Sequence, residues 1–307
     1  MTDTHASLKK IGLLGLGKMG FGLALNLRDH GFEVVAFDPA PGLREQAARE
    51  EGITAADNEP DIVRRLEPVR VLWLMVPAGE PTEAALRALT PLLSAGDVVI
   101  DGGNSNFKDS VRRHAWLKER GLRFLDCGTS GGPGGARHGA CTMVGGEVEV
   151  YDLCRSLFDA VSVPGGSLRV GGPGAGHFVK MVHNGIEYGM MQAIAEGFEV
   201  LEGSGYGLDL REIADLWQHG SVVRSWLVEL AGEALAKDPR LDNLTGRVGA
   251  SGEGQWTVET AMDLGVPAPV IALAVMMRHR SLQDDGFAGR LLAALRHEFG
   301  GHAIEKK

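Results

Sequence analysis

The 307-residue chain has few cysteines and no long hydrophobic run. Cys127, Cys141 and Cys154 are odd in number and have no C-x-x-C spacing, so we expect neither disulfides nor a zinc site. The longest apolar run, 268–277, is too short to span a bilayer and contains a proline. Residues 1–10 have no apolar core of a signal peptide. These absences predict a cytoplasmic protein with three buried thiols.

Positive charge is also scarce. The chain has 31 lysines and arginines against 40 aspartates and glutamates, a formal net charge of -9, and no block of basic residues. Nucleic acid and anionic membranes are therefore poor partners. The hydrophobic content of 44% and the charged content of 23% are those of an ordinary globular protein. The length allows two domains.

Glycine, in contrast, is abundant, with 44 residues. Six residues, 15–20, spell G-x-G-x-x-G directly after an apolar run at 9–16 and open a helical pattern that extends to His30. A second apolar run, 32–37, ends at Asp38, 18 residues after the last glycine of the motif. This order of strand, glycine loop, helix, strand and acidic residue predicts a dinucleotide-binding site, whereas an isolated glycine turn would not.

Each residue of the motif has a physical purpose in such a site. Gly15 and Gly17 allow the backbone to approach a pyrophosphate, and Gly20 allows the helix to pack closely. The amides at the helix N-terminus attract the negative charge. The carboxylate of Asp38 would accept hydrogen bonds from the ribose hydroxyls and repel a 2′-phosphate, which favours NAD over NADP. The alternative is a glycine turn without a ligand.

Apolar runs and helical patterns continue to alternate, with further strands predicted at 69–76, 97–100, 123–126, 140–144 and 167–170. In open α/β sheets, ligands bind at the carboxyl ends of the strands. The first 176 residues are therefore predicted to form a Rossmann-like α/β dinucleotide-binding domain. The predicted cofactor-binding residues are Gly15, Leu16, Gly17, Lys18, Met19, Gly20, Asp38, Val76, Pro77, Ala78 and Asn104.

The pattern becomes helical after Gly176. Helices are predicted at about 177–203, 209–236, 255–265, 268–284 and 287–298, with no further strand. Residues 177–307 are therefore predicted to form an all-α domain that carries substrate-binding and oligomerisation surfaces.

Four polar side chains share one face of the first of these helices. Lys180, His183, Asn184 and Glu187 follow one another at i, i+3, i+4 and i+7. Such a stripe is often a solvated helix face. Histidine and asparagine are not typical of solvated faces, which alternate glutamate with lysine. The dinucleotide motif upstream favours a catalytic face.

Hydride transfer to a nicotinamide needs a base that accepts the proton of the substrate hydroxyl. No metal-ligand spacing such as H-x-x-x-H occurs, so we expect no metal and assign the base to Lys180. Burial at a domain seam would lower its pKa from about 10.4 into the working range. Asn184 would hold the same hydroxyl, and Glu187 lies about 10 Å further along the helix axis. One lysine and one carboxylate suit two proton transfers, one at oxidation and one at a carbanion-like intermediate.

Several motifs together resemble the decarboxylating 6-phosphogluconate dehydrogenases, within the wider β-hydroxyacid dehydrogenase group. They are the glycine motif 15–20, the segment D-G-G-N-S at 101–105, S-G-G at 130–132, the stretch 174–188 and G-V-P at 265–267. The resemblance covers nearly the whole chain and is closest to the short, NAD-preferring class. The stretch 174–188 is its most specific part.

The resemblance implies a mechanism and a set of substrate contacts. Lys180 would deprotonate the 3-hydroxyl during oxidation and neutralise the enolate oxygen after loss of carbon dioxide, and Glu187 would protonate C1 to give ribulose 5-phosphate. Tyr188 and Arg278 would bind the substrate phosphate. The other implied substrate contacts are Asn104, Ser130, Gly131, Gly132, His183 and Asn184.

The C-terminal tail carries a further resemblance. Its pattern R-x-x-F-G-x-H at 296–302 is similar to the family's tail, which reaches the active site of the partner subunit. This implies that Arg296 and His302 act in the partner's site, in a homodimer or homotetramer. Read alone, the same residues would be a frayed polar terminus.

Two departures from the family pattern are informative. Phe37, Asp38 and Pro39 stand where NADP-using relatives carry Asn-Arg-Thr, which supports NAD. Ser251 and Glu253 stand where the long enzymes have a phosphate-contacting lysine and threonine, and a carboxylate near a phosphate is unfavourable. Two alternatives therefore stay open: a β-hydroxyacid dehydrogenase for an unphosphorylated 3-hydroxy acid, and a non-catalytic NAD-sensing protein on the same fold.

Overall fold

The computed structural model describes residues 8–305, apart from the side chain of Phe299. By its internal contacts the chain divides into two compact units between His183 and Asn184. Among the residues described, no helix is both long enough and apolar enough to cross a membrane.

The first unit alternates strands and helices, as the sequence predicts. Its strands are β1 (Lys10–Leu14), β2 (Glu33–Phe37), β3 (Ile53–Ala55), β4 (Val71–Leu74), β5 (Val98–Asp101), β6 (Arg123–Ser130), β7 (Ala140–Gly146) and β8 (Ser162–Gly171). Its helices are α1 (Lys18–Asp29), α2 (Pro41–Ala48), α3 (Glu59–Arg64), α4 (Glu80–Leu89), α5 (Phe107–Lys118), α6 (Gly132–His138) and α7 (Val148–Val161).

All eight strands form one sheet in the order β3-β2-β1-β4-β5-β6-β7-β8. Strands β1 to β6 are parallel to one another, and the register aligns Leu13 with both Ala36 and Trp73. Strand β7 runs antiparallel to β6, and β8 is parallel to β7. The predicted Rossmann-like α/β fold is confirmed.

The core lies on both faces of this sheet because successive side chains of a strand point to opposite sides. Leu13 and Trp73 belong to the cluster on one face, together with residues of α1 and α7. Leu14 and Leu74 belong to the cluster on the other face, with residues of α3, α4 and α5. Because both faces of the sheet are covered, the sequences of the strands are nearly continuous apolar runs.

The strand order reverses between β1 and β4. The chain moves outward from β1 to β3 and then returns to place β4 on the other side of β1. Loops that follow β1 and β4 therefore diverge and open a crevice at the carboxyl ends of the strands. The glycine motif follows β1, so the topology places it at this crevice.

The helices that follow the sheet are α8 (Ala175–Glu202), α9 (Leu210–Trp217), α10 (Trp226–Lys237), α11 (Glu253–Asp263), α12 (Pro269–Ser281) and α13 (Phe287–Gly300). Helix α8 begins in the first unit and continues into the second. Within residues 172–305 there is no strand. The prediction of an all-α C-terminal part is thus confirmed.

Two predictions were wrong in detail. The predicted helix 209–236 is two helices, because the chain turns at Gly220, where φ is +84°. Cys141 is exposed, whereas Cys127 and Cys154 are buried as expected. Cys141 lies near the start of β7, opposite Ser130 at the end of β6, and is the one exposed position of that strand.

Candidate active site

A cavity of about 870 Å³ lies at the carboxyl ends of β1, β4 and β5. Of the predicted cofactor-binding residues, Leu16 and Ala78 do not line it. Those that do are Gly15, Gly17, Lys18, Met19, Gly20, Asp38, Val76, Pro77 and Asn104. The volume and position match those expected of a small-molecule site at a topological switch point.

The glycine loop is shaped for a close ligand. Gly15 has φ +95°, and a Cβ on it would lie 2.4 Å from the carbonyl oxygen of Met75. A Cβ on Gly20 would lie 1.9 Å from the carbonyl oxygen of Gly15, so only glycine fits there. A Cβ on Gly17 would meet no atom within 4 Å and would instead occupy space above the loop. Such a cradle fits the pyrophosphate of a dinucleotide.

Asp38 follows β2 and is held by backbone amides. Its Oδ2 accepts a hydrogen bond from the Leu16 amide at 2.8 Å, and its Oδ1 accepts one from the Ala40 amide at 2.8 Å. Leu16 therefore acts through its backbone, since its side chain is buried. The Arg44 guanidinium lies beside this turn and donates through Nη1 to the carbonyl oxygens of Asp38 (2.7 Å) and Pro39 (3.0 Å).

The start of helix α8 is fixed by a carboxylate that sequence reasoning missed. Asp126 is fully buried within β6 and accepts the amides of Gly174 (Oδ1, 2.7 Å) and His177 (Oδ2, 2.8 Å). These are amides that a helix start leaves without intrahelical partners. The signal in the sequence was a carboxylate inside an apolar strand. Asp126 thereby sets the position of the helix that carries Lys180.

Lys180 is only 5% exposed and lies against β6. Its Nζ is 3.5 Å from Nδ1 of His183, and Nε2 of His183 is 3.2 Å from Oγ of Ser130. When Lys180 is protonated, it donates to Nδ1, so Nε2 carries the hydrogen and donates to Ser130. The structure thus brings together three predicted site residues in a chain of polar contacts.

Two further predicted loops meet near the same strand end. Asn104 adopts φ +50°, and its Oδ1 accepts the Thr129 amide at 3.2 Å. Gly131 (φ +124°) joins β6 to α6, and Gly132 (φ +61°) is the first residue of α6. Arg137, at the end of α6, pairs with Asp29 at 2.6 Å.

The part of α8 that belongs to the second unit carries the other predicted residues. Asn184 and Glu187 are half-buried, and Tyr188 is buried. The guanidinium of Arg278 lies 3.5 Å from the centre of the Tyr188 ring and donates to the Gly249 carbonyl at 2.9 Å. The Ser251 amide donates to the Tyr188 hydroxyl at 3.2 Å. Tyr188 and Arg278 are therefore in direct contact.

Glu253, which stands where the long enzymes contact the substrate phosphate, is buried in this structure. It is 7% exposed, and its Oε2 has no hydrogen-bond partner among the residues described. It stands in the first turn of α11, where the helix dipole favours a negative charge.

The C-terminal candidates are at the surface of the chain. Arg296 is exposed in the last turns of α13, and His302 is exposed two residues after the helix. Their predicted role in a partner's site stays a prediction.

The residues described include no group of three or more histidine, cysteine, aspartate or glutamate side chains that could hold a metal ion.

Two family profiles match the chain. Residues 10–171 match the NAD binding domain of 6-phosphogluconate dehydrogenase, and residues 176–294 match the C-terminal domain of 6-phosphogluconate dehydrogenase.

Full-length relatives are similar throughout. YqeC of Bacillus subtilis, provisionally named 6-phosphogluconate dehydrogenase, is 52% identical over 97% of this chain and 100% of its own length. An NAD(+)-dependent, decarboxylating 6-phosphogluconate dehydrogenase of Haloferax volcanii is 44% identical over 97% of this chain and 99% of its own.

Solved structures are similar as well. The 6-phosphogluconate dehydrogenase of Plasmodium falciparum, determined with NADP+ and with 6-phosphogluconate, superimposes with a TM-score of 0.83 at 29% identity. The match covers 97% of this chain and 66% of that chain. A 3-hydroxyisobutyrate dehydrogenase of Mycobacterium tuberculosis has a TM-score of 0.74 at 24% identity, which shows a shared fold. The chain belongs to the 6-phosphogluconate dehydrogenase family.

Proposed function

We propose that this protein catalyses the oxidative decarboxylation of 6-phosphogluconate to ribulose 5-phosphate and carbon dioxide, with NAD as the preferred cofactor. The observation that carries the proposal is the buried Lys180, in polar contact with His183 beside Ser130. The names of the full-length relatives support the same reaction.

Lys180 is the proposed base. Its Nζ, in the neutral form, would accept the proton of the substrate 3-hydroxyl. A nicotinamide dinucleotide held by the glycine loop and Asp38 would supply the hydride acceptor for this oxidation. The ammonium then stays beside the C3 oxygen and stabilises the negative charge that develops there as carbon dioxide leaves. Because the charge is neutralised by a lysine, the proposed reaction is independent of a metal ion.

His183 and Ser130 complete the surroundings of the base. The imidazole accepts from Lys180 through Nδ1 and donates toward Ser130 through Nε2, which fixes both the lysine side chain and the serine hydroxyl. Ser130, Gly131, Gly132, His183 and Asn104 are the proposed contacts of the sugar acid in the first unit.

Glu187 is the proposed acid that protonates C1 of the enediol. Helical periodicity places it on the face of α8 that carries Lys180 and Asn184, about two turns further on. Two proton-transfer groups at different points of one helix suit a chain-like substrate whose reacting carbons are C3 and C1. Asn184, between them, would hold the 3-hydroxyl.

NAD preference is proposed from Asp38. Its carboxylate lines the cavity and is fixed by the amides of Leu16 and Ala40, so it cannot easily turn away from a ribose at this position. A second negative charge on a 2′-phosphate would be repelled there.

The phosphate of the substrate is the proposed ligand of Tyr188 and Arg278, which are in contact. The second candidate is a dehydrogenase that acts on an unphosphorylated 3-hydroxy acid. The negative charge of Glu253 favours this candidate, because a carboxylate near a phosphate is unfavourable. Arg278 provides a positive charge for the phosphate, and the names of the full-length relatives favour a phosphorylated substrate. We therefore rank the phosphorylated substrate first.

We also propose that the protein works as a homodimer or homotetramer. Helix α13 presents exposed apolar side chains, among them Phe287, Leu292 and Leu295, next to Arg296 and His302. Burying this face against a second copy would place the two polar residues at the partner's surface.

The experiment is an absorbance assay of nicotinamide reduction with 6-phosphogluconate or gluconate, each with NAD or NADP at equal concentration. The proposal expects strong reduction of NAD with 6-phosphogluconate alone, together with release of carbon dioxide. Equal turnover of gluconate would favour the second candidate. Reduction without carbon dioxide would contradict the decarboxylation.

A further inference from the structure

A buried ion pair lies beneath the loop that carries Asn104. Arg113 of α5 is 1% exposed, and Asp101, the last residue of β5, is 0% exposed. Nη1 of Arg113 donates to Oδ2 of Asp101 at 2.7 Å and to Oγ of Ser105 at 2.8 Å. The hydroxyl of Ser105 donates to the same Oδ2 at 2.9 Å.

This pair holds both ends of the turn around Asn104. Oδ1 of Asp101 accepts the Gly103 amide at 3.0 Å, so the carboxylate is bonded to the residue before Asn104 and to the residue after it. Asn104 itself has φ +50°, which is uncommon for a residue with a side chain although asparagine tolerates it better than most, and which a surrounding constraint helps to maintain. The pair provides that constraint.

Arg113 also links this turn to the wall of the cofactor cavity. Its Nε donates to Oε1 of Glu83 at 2.9 Å. Glu83 belongs to α4, and Pro81 and Ala84 of the same helix line the cavity. One guanidinium therefore connects the cavity wall with the turn that bears Asn104.

The arrangement is not the one that stability alone would favour. Nη2 of Arg113 is buried and has no hydrogen-bond partner among the residues described. A buried charge with an unsatisfied donor is costly, and well-packed apolar residues in place of a buried ion pair are often equally stable or more so.

We propose that Arg113 and Asp101 form a positioning pair, which holds the amide of Asn104 in the orientation needed at the junction of cofactor and substrate. Neither residue lines the cofactor cavity, so the pair acts through the 102–105 turn. The inference rests on the proposed function, in which Asn104 contacts both.

The adjacent Arg112 is a matched control. It also pairs with Glu83 and, at 3.0 Å, with Asp109, but the structure gives it no bond to Asp101 or Ser105. Arg112→Met should therefore keep kcat within about twofold of the wild type, because misplacement of a reacting group is what costs rate.

The test compares Arg113→Met with the double variant Asp101→Leu/Arg113→Met. The single variant leaves a buried carboxylate without its partner and should be unstable. The double variant removes both charges and should recover most of the melting temperature. Its kcat should nevertheless stay about 100-fold below the wild type, because Asn104 has lost its support. Binding of NADH, followed by its fluorescence, should change by less than about threefold, since the remaining contacts of the cavity are retained.

The double variant separates positioning from stability. If its kcat returns to the wild-type value together with its melting temperature, the pair serves stability only and the inference is overturned. If Arg113→Met does not fold, the double variant still decides between the two outcomes.

Amide hydrogen exchange of residues 102–105 provides a reading that needs no substrate. The inference expects faster exchange in the double variant than in the wild type and in Arg112→Met. Unchanged exchange would overturn it. If exchange is faster in the double variant but the wild type does not turn over 6-phosphogluconate, the proposed function is wrong and the inference that the pair supports Asn104 still holds.

Discussion

Gly128 lies so close to the side chain of Lys180 that no side chain larger than the hydrogen of glycine fits at position 128. A Cβ on Gly128 would lie 2.3 Å from Cβ of Lys180. Strand β6 and helix α8 therefore meet at the residue proposed as the base, and the glycine sets how deeply that residue sits.

Gly128→Ala should push α8 away from β6. We expect a loss of about 1–3 kcal/mol in the free energy of unfolding, the usual cost of overpacking. Turnover should fall as well, since Lys180 is displaced. Urea denaturation and steady-state assays measure both.

Gly197→Ala is the control on the same helix. A Cβ there would meet no atom within 4 Å, so the substitution should stabilise the helix by about 0.5–1 kcal/mol. Equal effects of the two substitutions would contradict the close contact.

Lys180→Met should abolish turnover and leave cofactor binding intact. Loss of a general base typically costs about 10²- to 10⁴-fold in rate. NADH binding should persist, because Lys180 does not line the cavity. Lys118→Met, which removes a surface pair with Glu147, is the control and should keep full activity. Substantial turnover by Lys180→Met would exclude Lys180 as the base.

Asp38→Ser should shift the cofactor preference toward NADP. It removes the charge that would repel a 2′-phosphate, and the Arg44 guanidinium is already bonded to the Asp38 carbonyl oxygen at 2.7 Å. We expect NADPH to bind roughly tenfold more tightly or better, about 1.4 kcal/mol. Fluorescence titration measures the dissociation constants of NADH and NADPH.

Adding Arg44→Gln to Asp38→Ser should remove most of that gain, because no cation would then stand beside the phosphate. Arg44→Gln alone should leave NADH affinity nearly unchanged. If wild-type protein already prefers NADPH, the argument from Asp38 is wrong.

Only one thiol should react quickly with a disulfide reagent at pH 8. Cys141 is exposed, whereas Cys127 and Cys154 are buried. Burial raises the pKa of the Cys154 thiol to about 12, and burial raises the pKa of Cys127 as well, so neither forms a thiolate readily. The native protein should release one equivalent of reporter rapidly, and Cys141→Ser should release none.

Glu83 should contribute stability that depends on pH. Burial alone would raise its pKa, but hydrogen bonds from Arg112 and Arg113 outweigh this and hold the pKa below the usual 4.5. A carboxylate with a depressed pKa stabilises the folded state above its unfolded pKa and loses this effect as pH falls through its folded pKa.

Glu83→Gln should therefore lower the free energy of unfolding by about 1–3 kcal/mol at pH 7. The difference from the wild type should narrow below about pH 4.5, as protonation removes the charge from the wild-type side chain too. Glu80→Gln, at an exposed pair with Arg87, should change it by no more than about 0.5 kcal/mol. A difference that widens toward low pH would contradict this account.

Much of this protein can be predicted from local pattern. The Rossmann-like part was predicted from the motif at 15–20, the apolar runs and Asp38. This was possible because the strands of a parallel sheet that is covered on both faces have nearly continuous apolar sequences. The spacing of Lys180, His183, Asn184 and Glu187 predicted one helix face, since helical periodicity is a local property. The short strand β3 and the break at Gly220 were not predicted, because a three-residue strand and a single glycine carry little pattern.

The tertiary structure determined the contacts between residues that are far apart in the chain. Asp126 bonds the amides of Gly174 and His177, Ser130 meets His183, and Arg113 reaches both Asp101 and Glu83. A lone aspartate in a strand or an arginine in a helix has no periodic partner that would reveal such a bond. The sequence by itself determined which residues are proposed to carry the chemistry. Only the packing of β6, α5 and α8 determined which buried groups hold these residues in place. Packing depends on contacts between segments that are far apart in the chain, and no local pattern of residues encodes such contacts.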